Sequence, residues 1–146
     1  MGQYMNTNHW LMWAILSACF AALTAIFAKV GLRQIDSDLA TLIRTVIIVL
    51  VLSLMVWGLG KWQNPLLLSG KTWLFLTLSA LATGASWLCY FRALQLGQAS
   101  QVAPIDKLSV VLVTLFAVLF LGERPSLQEY LGIILIALGV LTIALK

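Results

Sequence analysis

Five long apolar runs account for most of this chain. Four of them are ~20 residues long, which is the length that an α-helix needs to cross the ~30 Å hydrocarbon core of a bilayer, and the fourth in chain order reaches it only with two charged residues included. Of the 146 residues, 62% are hydrophobic and 10% are charged, and a soluble domain of this size cannot bury that much apolar surface. We therefore predict an all-α integral membrane protein with a bundle of five transmembrane helices, at Trp10–Ala28, Leu39–Leu59, Trp73–Phe91, Val102–Leu121 and Leu127–Leu145.

The connections between the apolar runs are short and rich in residues that favour turns. They contain Gly31, Asp36, Asn64, Pro65, Gly97, Gly122 and Pro125. No connection is long enough to fold by itself. Residues 1–146 are therefore predicted to form a single multi-pass membrane domain.

The net charge of +4 does not indicate a protein that binds nucleic acid, because the basic residues are scattered singly with no basic cluster. Anchoring at the surface of the lipid bilayer explains them better. The two cysteines, Cys19 and Cys89, show no metal-ligand spacing, and the single histidine, His9, lies at one end of the first span. We expect no metal, no cofactor and no enzymatic activity, since the spans hold neither paired carboxylates nor a Ser–His set.

Asp106 and Lys107 form the main candidate for a functional site. The apolar run after them, Leu108–Leu121, covers only ~21 Å of helix, so the fourth helix must begin near Val102 to cross the membrane. Both charges then lie about one turn inside the span, where ionisable side chains usually face a protein interior or a watery cavity. In the alternative interpretation, Pro104 opens the helix and Asp106 lies in its first turn, where a carboxylate suits the helix dipole.

Two arginines add positive charge toward the same membrane face. Arg44 is the sixth residue of the second predicted span, and Arg92 directly follows the third. Because successive spans alternate in direction, these residues and Lys107 lie toward one face, which makes that half of the bundle electropositive. The alternative is that the arginine side chains simply extend to the membrane surface.

A polar stripe runs along the third span, at Thr72, Ser79, Thr83, Ser86 and Tyr90. Offsets of 7, 4, 3 and 4 residues place all five on one narrow face of a helix. Close helix packing is the ordinary explanation for such a stripe. The functional alternative is a polar wall that faces Lys107, with Trp87 and Tyr90 offering aromatic surface near its end.

Gly132 and Gly139 lie seven residues apart in the fifth span and therefore share nearly one helix face. Such a pair permits close approach of another helix. The contact could be internal packing or a dimer interface, and the sequence does not choose between them.

The order of short motifs along the second half of the chain resembles the EamA-type domain of the drug/metabolite transporter superfamily. The motifs are Tyr90-Phe91-Arg92-Ala93-Leu94, Ser100-Gln101-Val102-Ala103-Pro104, Leu121-Gly122-Glu123-Arg124-Pro125, Leu131-Gly132 and Leu138-Gly139-Val140. The resemblance extends to the five-span pattern of the whole chain. It implies one half of a ten-helix inverted-repeat transporter fold, in a bacterial inner membrane, that must pair with a second half.

The related small multidrug-resistance proteins pair as antiparallel dimers and carry a glycine pair with the spacing of Gly132 and Gly139. They also use a glutamate in the first helix for proton exchange, whereas Trp10–Ala28 contains no acidic residue. The resemblance therefore implies a homodimer, with the antiparallel arrangement as one option, but not proton-coupled export of cationic drugs.

The prediction for function is a dimeric transporter that moves small polar, anionic or zwitterionic metabolites by alternating access. The predicted substrate-binding residues are Lys107, Asp106, Arg44, Arg92, Tyr90, Trp87, Ser86 and Thr83. The alternative is a non-transporting subunit that completes or stabilises a heteromeric carrier through its glycine pair.

Overall fold

The computed structural model describes residues 9–145, which contain helices and turns but no strand. Within that range the α-helices are α1 (His9–Gly31), α2 (Ser37–Gly58), α3 (Gly70–Leu96), α4 (Ala99–Asp106), α5 (Ser109–Phe116) and α6 (Leu127–Ala144). A 3₁₀ turn at Pro65–Leu67 precedes α3, and a π-helical turn at Ala117–Leu121 follows α5. Among the described residues, five stretches are long and apolar enough to cross a membrane, since α4, α5 and the π-helical turn together form one of them, Ala99–Leu121. The prediction of an all-helical membrane protein with five spans is confirmed.

Most apolar side chains of the spans are exposed. Phe120 is 78% exposed and Leu135 is 70% exposed, and many other large apolar residues resemble them. In water such a surface would cause aggregation, but in a bilayer the lipid tails are as apolar as leucine. A segment that crosses a membrane must satisfy its backbone N–H and C=O groups internally, which an α-helix does.

The chain divides into two compact units, which we call the terminal unit (residues 9–30 and 97–145) and the hairpin unit (residues 31–96). In the terminal unit, α4 and α5 pack against α6. Its buried residues are small or medium-sized: Ala25, Ala28, Ala117 and Val140. A methyl group added at Gly132 or Gly139 would meet no atom within 4 Å, so the glycine face of α6 remains open.

In the hairpin unit, α2 packs against α3. Phe91 and Leu94 on α3 are 1% and 0% exposed, and Ser37 and Thr41 on α2 are also buried. The Thr41 hydroxyl donates to the Ser37 carbonyl at 2.8 Å, so its donor is satisfied although the residue is buried. The small hydroxyl residues near the start of α2 allow close helix approach.

The helix boundaries differ from the sequence prediction at two places that matter for the site. Helix α3 continues to Leu96, so Arg92 lies inside the helix rather than after its end. The fourth span begins at Ala99 rather than near Val102, and Pro104 lies inside α4. The alternative in which Pro104 opens a helix is therefore wrong. Membrane helices tolerate an internal proline because neighbouring groups and local 3₁₀ geometry satisfy the freed backbone atoms.

Candidate functional site

The fourth span is interrupted at the charged pair. Helix α4 ends at Asp106, α5 begins at Ser109, and Lys107 and Leu108 form a turn between them. The backbone bonds here join residues three apart: Lys107 N to Pro104 O at 2.9 Å, Leu108 N to Ile105 O at 3.0 Å, and Val110 N to Lys107 O at 3.0 Å. Because proline has no N–H, Pro104 cannot complete the α-helical ladder. Tight 3₁₀ segments inside a helix often mark hinges.

Asp106 and Lys107 form an ion pair at this break. The Lys107 Nζ lies 3.3 Å from the Asp106 Oδ2, and the two side chains are 54% and 37% exposed. The pair lies about 11 Å from the start of the span at Ala99, which is deeper than the sequence predicted. Asp106 ends α4, where the helix dipole disfavours a negative charge, and the adjacent Lys107 offsets it. An exposed ion pair at this depth needs a polar environment that lipid tails cannot supply.

Lys29 lies near the end of α1 and has a structural contact in the terminal unit. Its Nζ donates to the carbonyl of Gly97 at 2.7 Å. Gly97 belongs to the turn that precedes α4. This bond therefore ties α1 to the beginning of the interrupted span.

Arg44 is the basic residue inside the second span, and aromatic rings of α3 cover it. Its Cζ lies 4.1 Å from the centroid of the Phe91 ring and 5.8 Å from that of Trp87. Tyr90 stands against Phe91 in an edge-to-face contact, with centroids 5.6 Å apart and an interplanar angle of 65°. The Nη1 atom of Arg44 is buried and has no hydrogen-bond partner among the described residues.

Arg92 lies with the first turn of α2 rather than with Arg44. Its Nη2 lies 3.3 Å from the Asp38 Oδ2, and the side chains are 64% and 53% exposed. One turn away, the Gln95 Nε2 donates to the Ile35 carbonyl at 2.8 Å. Together these contacts fasten the end of α3 to the loop that leads into α2.

The polar stripe of α3 is exposed at Thr83 and Ser86. Thr83 uses its hydroxyl proton within its own helix, by donating to the Ser79 carbonyl at 2.9 Å. Its oxygen can still accept a hydrogen bond from outside the helix. The stripe is therefore open to a ligand or to another helix, and close packing within the described residues does not account for it.

Each unit brings part of the predicted set together. In the hairpin unit Arg44 contacts Trp87 and Phe91, and Tyr90 contacts Phe91, while the terminal unit holds Asp106 beside Lys107. The assignment of these residues to a substrate site stays a prediction.

Sequence reasoning missed Phe91 and Asp38. Phe91 lies four residues after Trp87 and so shares its helix face, a signal that could have identified it. Asp38 contacts Arg92 only because α2 and α3 pack together, and no local pattern indicates that pairing.

The described residues offer no group of metal ligands, and they form a groove lined by uncharged side chains. No group of three or more His, Cys, Asp or Glu side chains that could hold a metal ion occurs within residues 9–145. A groove of about 430 Å³ in the hairpin unit is lined by Ser53, Leu54, Trp57 and Trp62. It contains none of the predicted site residues.

Comparisons with known proteins give a consistent result. The EamA-like transporter family matches residues 8–145 of this chain. A Sinorhizobium protein, named as an uncharacterised transporter in the cobO 3′ region, is 61% identical over 138 residues, covering 94% of this chain and 98% of that protein. The Bacillus subtilis uncharacterised transporter YxxF is 26% identical over 131 residues, covering 89% of this chain but 40% of that protein.

A shorter match joins part of this chain to a flippase subunit. The probable 4-amino-4-deoxy-L-arabinose-phosphoundecaprenol flippase subunit ArnE of Yersinia pestis is 36% identical over 67 residues. The match covers 46% of this chain and 59% of that protein. No solved structure matches this chain.

Proposed function

This chain belongs to the EamA-like transporter family, and we propose that it carries small anionic or zwitterionic metabolites across the cell inner membrane by alternating access. The observation that supports this most strongly is the Asp106–Lys107 ion pair, exposed at a break in an apolar span. Ionisable residues at such a depth are costly and commonly mark the path of a substrate or ion. Transporters also place their binding sites at interrupted helices.

Lys107 supplies the positive charge that receives the anionic group of the solute. Its ammonium has three donors and needs to use only one of them on Asp106. When an anion replaces that contact, the Asp106 carboxylate becomes free to pair with the ammonium of a zwitterion or to take a proton. In the hairpin unit, Arg44 and Arg92 add positive charge, and Thr83, Ser86, Trp87 and Tyr90 offer polar and aromatic surface to a solute.

Two copies of the chain form the complete carrier. Alternating access commonly works through two structural repeats of opposite orientation, with the substrate between them. This chain covers only 40% of YxxF, which supports the idea that longer relatives join two such units in one polypeptide. The open glycine face of α6, at Gly132 and Gly139, offers a surface for the second copy.

Transport by purified protein in liposomes tests this proposal. Solute exchange is measured with labelled carboxylates, amino acids, sugar phosphates and organic cations, for the wild type and for Lys107→Gln. We expect at least one anionic or zwitterionic solute to exchange, and Lys107→Gln to slow it by about 10- to 100-fold, since a charge-assisted hydrogen bond is lost.

The matched control is Lys71→Gln, which removes the same charge from the exposed first turn of α3. This variant is expected to retain wild-type exchange. Exchange that survives Lys107→Gln unchanged would contradict the site assignment, and exchange of cations alone would contradict the substrate class.

A second candidate function is that of a subunit in a heteromeric carrier, which the partial similarity to the ArnE flippase subunit favours. Reporter proteins fused after the last residue decide between the two, one active only in the cytoplasm and one only outside. Signal from both reporters supports insertion in both orientations and an antiparallel homodimer. Signal from only one, together with co-purification of an unlike membrane protein, supports the heteromeric subunit.

A further inference from the structure

Arg44 leaves one nitrogen of its guanidinium without a hydrogen bond inside the second span. The residue lies about 10 Å from the start of α2, well within the apolar part of the helix. Its Nη1 is buried and has no hydrogen-bond partner among residues 9–145. A buried charged donor without an acceptor is costly, and a leucine at this position would avoid that cost.

The polar side chains around the first half of α2 are engaged elsewhere. Asp38 contacts Arg92 at 3.3 Å. On α2, the hydroxyls of Thr41 and Thr45 each donate at 2.8 Å to the carbonyl four residues earlier. Asp36, the other acid of the hairpin unit, caps α2 by accepting from the backbone N–H groups of Asp38 and Leu39, so neither carboxylate of this unit is bonded to Arg44.

The two aromatic rings provide the only compensation that the structure gives to this cation within the hairpin unit. A ring face attracts a cation, and Phe91, whose centroid lies 4.1 Å from the Arg44 Cζ, is the closer of the two. A ring cannot accept the directed N–H bonds that a guanidinium makes with an oxyanion. The rings therefore hold the charge in place without satisfying its hydrogen bonds.

We infer that Arg44 binds an oxyanion, a carboxylate or phosphate group of a small solute, and that Phe91 and Trp87 hold its guanidinium when the anion is absent. This inference rests on the proposed function and extends it, since it assigns a second anion-binding group in the hairpin unit. Binding requires the guanidinium to move away from the Phe91 ring, because Nη1 is buried while the two are in contact and a solute cannot reach it. The rings compete with the anion, so weakening them strengthens anion binding.

A thermal unfolding assay tests the inference without any transport measurement. The protein is placed in nanodiscs of phosphatidylcholine and titrated with sodium acetate or sodium phosphate, against sodium chloride at equal ionic strength. We expect acetate, phosphate or both to raise the unfolding midpoint of the wild type, because a ligand that binds the folded state stabilises it. Arg44→Gln is expected to abolish this rise, and Arg44→Lys to retain a weaker one.

Arg33→Gln is the matched control, since it removes the same charge from an exposed position of the same unit. An equal response in Arg44→Gln and the wild type would overturn the inference. So would an equal loss of response in Arg33→Gln and Arg44→Gln, because it would show a general effect of charge.

Substitution of the rings tests the competition. Phe91→Leu is expected to lower the half-saturating anion concentration by about fivefold, since the closer ring is removed. Phe75→Leu, at an exposed position of α3, should leave it unchanged. If Phe91→Leu does not fold, Trp87→Leu is used, with a fall of about twofold because this ring lies farther from the guanidinium. Weaker anion binding in whichever ring variant is measured would overturn the inference.

A lipid phosphate is the other source of the same chemistry. Nanodiscs of phosphatidylglycerol supply anionic lipid in place of the free anion. Stabilisation by this lipid that depends on Arg44, with no response to acetate or phosphate, would overturn the assignment to a solute.

The inference and the proposed function can fail separately. Loss of exchange in Lys107→Gln, together with an anion response that does not need Arg44, would remove only the inference. An Arg44-dependent anion response in a protein that exchanges no anionic or zwitterionic solute would overturn the proposed function and leave an anion site without transport.

Discussion

The hairpin unit and the terminal unit each place a cation inside an apolar span, but they stabilise it differently. In the hairpin unit, the helix α2 is continuous, Arg44 is half-buried, and its neighbours are aromatic rings. In the terminal unit, the fourth span is interrupted, and the Lys107 side chain is 54% exposed beside the carboxylate of Asp106. The first cation lacks an acceptor, whereas the second already has one.

This difference separates two ways in which a protein can keep a positive charge ready for a substrate. A cation held against rings gains attraction without a hydrogen bond, so an incoming anion offers a contact of a new kind. A cation held by a carboxylate must exchange one oxyanion for another, and its gain is smaller. The hairpin unit also packs more tightly around its cation, since Phe91, whose ring contacts Arg44, is only 1% exposed.

Phe91→Ala is expected to have the largest effect on stability. The ring is fully buried between α2 and α3, and its removal leaves a cavity. Because lipid tails are as apolar as the protein core, mainly the packing part of the usual cost applies, about 2–3 kcal/mol. Unfolding in mixed detergent micelles measures it. Val140→Ala in the terminal unit should lower the free energy of unfolding by about 1 kcal/mol. An equal loss of stability in the two variants would show that the two units are packed equally well.

Asp106→Asn is expected to strengthen the binding of an anionic solute. The Asp106 Oδ2 lies 3.3 Å from the Lys107 Nζ and competes with the substrate for it. Removal of that competitor should lower the KM for an anionic solute by about fivefold, the equivalent of a weak ion pair. Initial rates of exchange in liposomes measure the change. Glu123→Gln, an exposed acid in the loop before α6, is the control, and a higher KM in Asp106→Asn would contradict the competition.

Pro104→Ala is expected to make the fourth span more regular and less able to bend. Alanine restores an N–H that can donate to the carbonyl of Ser100, which should stabilise the helix by about 0.5–1.5 kcal/mol. Hydrogen exchange at residues 104–111 should slow, and solute exchange should become slower in the same variant. Pro125→Ala, in the loop before α6, should change neither. Faster solute exchange in Pro104→Ala would argue against a hinge at this break.

The Arg92–Asp38 pair is expected to give the smallest effect. The two side chains are 64% and 53% exposed, and ion pairs with that exposure contribute less than about 1 kcal/mol. A double-mutant cycle with Arg92→Gln and Asp38→Asn measures the coupling by detergent unfolding. A coupling of several kcal/mol would show that this pair, unlike Lys107 with Asp106, is enclosed in the assembled protein.

The five spans were predictable because hydropathy is a local property of the chain. Any helix that crosses a bilayer must be apolar over ~20 residues, whatever it packs against. The charges of Arg44, Asp106 and Lys107 were conspicuous for the same reason, since they interrupt such runs. The predicted span Val102–Leu121 placed Pro104 inside the fourth helix, as the structure does, whereas the alternative placed it at the helix start.

The contacts of these charges depended on the tertiary structure. Arg44 faces Phe91, and Arg92 faces Asp38, because α2 and α3 pack in one particular register. Residues 47 and 54 positions apart in the sequence meet in this way, and no periodicity within one helix specifies which of its neighbours they will touch. The composition of each span therefore determined that the protein enters a membrane, whereas the packing of α2 against α3 decided that Arg92 has a carboxylate partner and that Arg44 lacks one.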